Sequence, residues 1–175
     1  MLVGPIQGIL VAFVLALVNL AKRAADPPAD VLNAQDVPEG ALMGVQPRGF
    51  VTAPGIVVIR FAAQVFFANA SAFKDAVEAA VSDAREKVRH VVIDCESITD
   101  IDVTGADSVA ETKEWVLERG LTFGFSRVRP DFARILGEFG LDAGTTFYGT
   151  NADAIARLTA LDRADGSNED GSAQV

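Results

Sequence analysis

The sequence predicts a mixed α/β sheet with helices packed on it, preceded by one transmembrane helix and a proline-rich linker. Three observations predict this. The chain opens on LVGPIQGILVAFVLALVNLA, residues 2–21, twenty residues without a charge. Five of the seven prolines (Pro27, Pro28, Pro38, Pro47 and Pro54) then fall between residues 24 and 54. From Gly55 onward, short β-branched runs alternate with segments of helical period, the pattern of strands and helices sharing one sheet.

At about 1.5 Å per residue the opening run is about 30 Å long, the thickness of a bilayer core. Lys22 and Arg23 follow at once. Positive charge collects on the cytoplasmic side, so the remainder is expected in the cytoplasm and the chain at the cell membrane. A secretory signal carries its positive charge ahead of the apolar run, whereas here it comes after. A buried core helix is seldom an uninterrupted apolar twenty-mer. Pro5, Gln7 and Gly8 sit more easily against neighbouring helices than against lipid, so residues 1–23 are expected to be the last helix of a transporter bundle. Proline lacks a backbone donor and resists helix, so residues 24–54 read as an extended linker.

The expected domain spans 55–161. GIVVIRF (55–61) reads as a strand and VFFA (65–68) as a second, short one. Asn69 is placed to cap a helix over about 70–87, with Phe73, Val77, Ala80, Val81 and Ala84 as its buried stripe. HVVIDC (90–95) is continuously apolar, as a central strand should be. A second helix is expected over about 103–119, ended by Gly120, and LTFGFS (121–126) as the next strand. Pro130 opens a third helix, TTFYG adds a short strand and Asn151 starts a last helix. Residues 162–175 are polar and acidic and are expected to be a disordered tail.

The net charge is −9, which disfavours nucleic acid as a partner, because phosphate binding relies on Lys and Arg. With one cysteine and one histidine there is no intrachain disulfide and no His/Cys metal site. Cys95 reads as a small buried hydrophobe and His90 as the exposed start of a strand. No cofactor is implied.

Chemistry concentrates in DCESITDIDVTGADSVAE, residues 94–111. Asp100, Asp102, Gly105 and Glu111 match positions 1, 3, 6 and 12 of an EF-hand loop, but Thr104 stands at position 5 and an apolar strand precedes. Asp100-Ile-Asp102-Val-Thr104 also matches the D-x-D-x-T nucleophile motif of haloacid-dehalogenase phosphatases. That chemistry needs magnesium, a downstream lysine and the motif at a strand tip, whereas the apolar run ends at Cys95. A third reading is a regulatory loop. Thr104 at a helix N-terminus is a candidate phospho-acceptor, since free N–H groups and the helix dipole favour an anion there. A plain helix-starting role for Thr104 stands beside it. At 100° per residue, Ala106, Val109, Ala110, Val116 and Leu117 make one apolar face. Thr104, Ser108, Glu111 and Trp115 lie within about 60° of each other on the opposite one. That stripe is read as a partner-docking face anchored by the only tryptophan; the other reading folds Trp115 down over the helix edge.

The globular part resembles the STAS domain, shared by bacterial anti-sigma factor antagonists and the cytoplasmic ends of SulP sulfate permeases. Asp94 and Asp102-Val103-Thr104-Gly105 fit the family's loop, an Asp followed by D-x-[ST]-G at a helix start. VRPDFARILGEFGL is similar to its third helix, and GIVVIRFAAQVFFANASAFKDAV is similar to its transporter branch. The resemblance implies a non-enzymatic regulatory and assembly domain of a secondary active transporter of sulfate or related anions. The anion site would lie in membrane helices outside this sequence. It further implies the same transporter's transmembrane domain as partner, a homodimer, and Thr104 at the position of the antagonists' phosphorylatable serine. A guanine or adenine nucleotide is a further candidate ligand, with Arg127 and Arg129 for its phosphates; a solvated basic loop is the plainer reading of these two. An anti-sigma-antagonist-like switch, and more remotely the phosphatase, are the alternative functions.

Overall fold

The computed structural model describes residues 5–34, 45 and 47–172 of the 175, with side chains within 6–164. Helix α1 (Pro5–Ala25) is followed by strand β1 (Ala29–Val31) and then by β2 (Ile56–Phe61). After these come α2 (Ala70–Ser82), β3 (His90–Asp94), α3 (Val103–Glu118), β4 (Thr122–Ser126), α4 (Pro130–Glu138), β5 (Thr146–Tyr148) and α5 (Asn151–Ser172). The five strands lie in the order of the chain, β1 antiparallel to β2 and all later pairs parallel.

Strand alternation sorts the core into two layers. Val57, Ile59 and Phe61 of β2 and Val91 and Ile93 of β3 face Phe73, Val77, Val109, Val116 and Phe132. Ile56, Val58 and Val92 point the other way, against Leu32, Tyr148, Ala154 and Leu158. The parallel crossovers through α2, α3 and α4 put these helices on one face, as right-handed connections require, and α5 covers the other. Both faces are covered, so β3 is buried at all five positions.

Four expectations are corrected here. The linker is not separate from the domain throughout, because residues 29–31 join the sheet as β1 and Leu32 beside them is fully buried. β1 is a three-residue edge strand, too short for a pattern of its own, and Pro27 and Pro28 precede it where no donor is missed. No strand forms at 65–68: Val65 makes one bridge to Ile101, and the chain turns through Phe66–Asn69. α2 ends at Ser82, short of 87, and Asn69 stands at its N-cap position without a side-chain capping bond. The chain past Asp162 continues in α5 to Ser172, since extending a formed helix is far easier than starting one; residues 173–175 lie outside the described residues.

His90 differs as well. It is buried, with Nδ1 2.8 Å from Thr122 Oγ1 and Nε2 3.0 Å from Asp162 Oδ1. A strand-start residue is covered here because α5 reaches back across the amino edge of the sheet. Cys95 is buried as expected, and burial pushes its thiol pKa well up, which leaves it unreactive.

Candidate functional site

The parallel strands β2, β3 and β4 end side by side at Arg60, Asp94 and Ser126. In open α/β sheets this carboxyl edge is where ligands and partners bind. It carries two features, a buried polar network and a capped helix start.

The network centres on Asp94, which is fully buried. Its Oδ2 accepts from Arg60 Nε at 3.0 Å and Nη2 at 2.9 Å, and from Asn151 Nδ2 at 3.1 Å. Its Oδ1 accepts from the Glu96 backbone N–H at 3.1 Å. Arg127 Nη1 lies 3.7 Å from the same carboxylate, while its Nη2 pairs with Glu96. Ser126 donates to Asn151 Oδ1 at 2.6 Å. Burying a carboxylate is tolerable only with such partners, because its desolvation is otherwise uncompensated. Arg127 is the one described non-glycine residue at positive φ, 56°, in the left-handed region that side chains avoid. Its two carboxylate contacts and its N–H bond to Tyr148 O hold it there.

The helix start is built from a different set. Asp102 is the N-cap of α3, accepting from Gly105 N at 2.7 Å on Oδ1 and from Phe67 N at 2.9 Å on Oδ2. One carboxylate therefore ties the Phe66–Asn69 turn to α3. Gly105 is required by close approach: a Cβ there would lie 2.3 Å from the Val65 carbonyl oxygen. Asn69 completes the joint. It is fully buried, accepts from Phe66 N at 2.9 Å, and donates to Gln64 O at 3.0 Å and to Ala24 O at 3.3 Å. Ala24 is in the last turn of α1, so α1, the turn and α3 are linked in series.

Thr104 is exposed in the first turn of α3; Asp102, not Thr104, is the cap. The docking stripe does not hold together. Ser108 is buried, donating to Ala70 O at 2.7 Å. Glu111 is exposed and pairs with Lys74 at 2.9 Å. Trp115 is half-buried against the core beneath Arg119, whose guanidinium carbon lies 3.8 Å from the ring centroid. The stripe fails because the buried side of α3 is centred on Gly105, Ser108, Val109, Thr112 and Val116. Small polar residues let α2 approach closely, whereas the expected apolar face included Ala110 and Leu117, which are exposed.

Arg127 and Arg129 do not converge on a phosphate-sized site. Arg127 is engaged by Asp94 and Glu96, and Arg129 is exposed ahead of α4. Asp100 is exposed in the loop six residues past the end of β3, its Oδ1 accepting from Ile101 N. The strand-tip placement that a phosphatase nucleophile needs is not met. The two oxygens of Asp102 serve backbone donors, and among the described residues no three carboxylate, His or Cys side chains gather as a metal site. Sequence reasoning missed Arg60 and Asn151. A charge at the end of an apolar strand, matched by Asp94 at the end of the next, was the available signal.

These features define a class: an α/β domain with helices on both faces of its sheet, whose carboxyl edge presents a capped helix start, joined directly to one apolar helix. The chain belongs to the STAS domain family, whose model matches residues 50–154. It is 28% identical over 143 residues to a probable sulfate transporter of Mycobacterium tuberculosis, covering 76% of this chain and 24% of that one. It is 27% identical over 124 residues to low affinity sulfate transporter 3 of Stylosanthes hamata, covering 65% and 19%. The chain thus spans about a quarter or less of the length of these relatives. Its fold matches that of the murine solute carrier 26 family member A9 anion transporter, with TM-score 0.69 and 13% identity, over 87% of this chain and 25% of that one. It also matches an anti-sigma factor antagonist from Mycobacterium paratuberculosis, with TM-score 0.51 and 24% identity, over 61% and 88%.

Proposed function

We propose that this chain is the cytoplasmic regulatory and assembly domain of a secondary active transporter of sulfate or a related inorganic anion, with the last membrane helix attached. The carrying observation is the serial link from α1 to the sheet. Helix Ile6–Ala25 is long and apolar enough to cross a membrane, is exposed over residues 6–23, and carries Lys22 and Arg23 in its last turn. Within four residues the chain enters β1, and Asn69 bonds the helix end to the domain. The similarity to transporter STAS segments over 143 residues supports the same reading. The transmembrane domain of the same transporter, and a second copy of the domain, are the partners this reading assigns.

A chimera tests it. Residues 1–161 replace the matching segment of the mycobacterial transporter, and radiolabelled sulfate uptake is measured. Uptake near the parent level, lost when only residues 1–23 are kept, is expected. A membrane-inserted chimera without uptake would count against the reading.

The exposed threonine of Asp102-Val103-Thr104-Gly105 favours a second reading, a protein-binding switch like the anti-sigma factor antagonists. Thr104 is the phospho-acceptor it assigns, and because Asp102 already takes the Gly105 N–H, a phosphate there would add negative charge beside that carboxylate at the exposed start of α3. Intact-mass measurement after incubation with cell extract and ATP is the check. A phosphate on wild type and none on Thr104→Ala is the outcome it requires.

A further inference from the structure

The Gln64–Asn69 turn has an unusual surface. Phe67 is 73% exposed, and Val103, which follows the Asp102 that holds the Phe67 N–H, is 65% exposed. Phe66 supports Phe67 edge-to-face, with centroids 5.6 Å apart. Phe67 is the most exposed of the large hydrophobic side chains described outside α1, and apolar surface left in water forgoes its transfer free energy.

Its position says what covers it. The apolar run of α1 ends at Leu20–Ala21, so Ala24 lies about one helical turn, roughly 5 Å, beyond the hydrocarbon. The headgroup layer is about 5–8 Å deep on each side of the core. Asn69 Nδ2 is 3.3 Å from Ala24 O, and Asn69 Oδ1 holds the N–H of Phe66, the neighbour of Phe67. The turn is therefore held beside the end of α1 that carries Lys22 and Arg23, which is headgroup depth when α1 spans a bilayer. Aromatic rings are favoured in that layer, and apolar side chains reach from it to the acyl boundary.

We propose that the Phe66–Asn69 turn is a lipid contact: Phe67 and Val103 enter the headgroup layer beside the cytoplasmic end of α1. The occupant is the bilayer interface itself. The proposal rests on α1 spanning the membrane. By fixing the turn, it fixes the depth of the α3 N-terminus, which Asp102 ties to the turn.

Fluorescence tests it. Trp115→Phe removes the native tryptophan, and Phe67→Trp then supplies the only probe. The full chain is reconstituted in vesicles of phosphatidylcholine and phosphatidylglycerol containing lipid brominated near the headgroup end of its chains. Phe139→Trp, just past the end of α4 at the opposite edge of the sheet, is the comparison. We expect the Phe67→Trp emission to fall about twofold or more, as for an interfacial indole, while Phe139→Trp is unchanged. Val103→Trp replaces Phe67→Trp if that variant does not fold by circular dichroism, with the same expectation. Equal emission with and without bromine at position 67 overturns the proposal, as does equal quenching at 67 and 139, which would mean nonspecific adsorption. If the chain does not float with the vesicles at all, the fault lies in reading α1 as a span. Flotation without quenching refutes only the lipid contact.

Discussion

Helix α5 is fastened at two ends of the same sheet, and the two fastenings differ in kind. At the carboxyl edge Asn151, Asp94 and Ser126 bond to one another as three buried side chains, with the part-exposed Arg60 and Arg127 against the Asp94 carboxylate. At the amino edge Asp162 accepts from Arg89 Nε at 2.9 Å and pairs with His90, with its side chain 19% exposed and that of Arg89 44% exposed. The eleven-residue step from Asn151 to Asp162 rises about 16 Å along the helix, close to the length of β3 beneath. Loss of a charged member of the buried fastening strands its partner out of water, whereas water replaces a lost member of the exposed one. The same chemistry therefore serves rigidity at the edge that carries the capped helix start, and adjustability at the edge that does not.

The largest expected effect is at the buried end. Asp94→Ala removes the buried acceptor shared by Arg60, Asn151 and the Glu96 N–H, leaving Arg60 only Glu96 at 3.4 Å, and should lower unfolding free energy in urea by about 3 kcal/mol. A loss under about 1 kcal/mol would mean that the two edges do not differ as described. Gly105→Ala sharpens the contrast at the same edge. Its Cβ would meet Val65 O, so the turn must move, with a loss of about 1–3 kcal/mol. Amide exchange should quicken first at Phe67 and Gly105, whose N–H groups share Asp102.

Smaller effects are expected at the amino edge. Asp162→Asn should lower stability by less than about 1 kcal/mol at neutral pH. The Arg89 guanidinium, with help from His90, holds the Asp162 carboxyl below its usual range. A depressed carboxylate contributes stability above its unfolded pKa and loses it as pH falls through the folded value. Urea midpoints of wild type and Asp162→Asn should therefore differ above about pH 4 and converge below it. The smallest effect is the coupling itself: a double-mutant cycle of Arg89→Gln with Asp162→Asn should give a few tenths of a kcal/mol. A buried-type coupling of several kcal/mol would erase the distinction between the edges.

The parts of this architecture visible in the sequence are those written in runs. The β-branched stretches at 56–61 and 90–94, Pro130 at a helix start, and Gly120 at φ +71° after α3 all declare themselves locally. The D-V-T-G segment announced the helix start, and Asp102 caps it. What stayed hidden depends on distant partners. β1 exists because β2 offers it an edge, His90 is buried because α5 crosses over it, and Asn69 serves Ala24 forty-five residues away. The α3 face was misjudged by counting apolar residues, when close helix approach selects small ones such as Gly105 and Ser108. Arg60 and Asn151 join Asp94 only once three separate elements meet.

β1 has a mechanical meaning. Three residues, Asp26, Pro27 and Pro28, separate the end of α1 from a strand already hydrogen-bonded into the sheet, with Ala62 N–H bonded to Pro28 O at 2.9 Å. Two consecutive prolines form a stiff spacer, about 3 Å per residue, with no slack to absorb rotation. The domain is thus a lever bolted to the helix rather than a weight on a string. Tilting α1 by a few degrees swings the far edge of the sheet through a proportionate arc, and a load on the domain returns as torque on the helix.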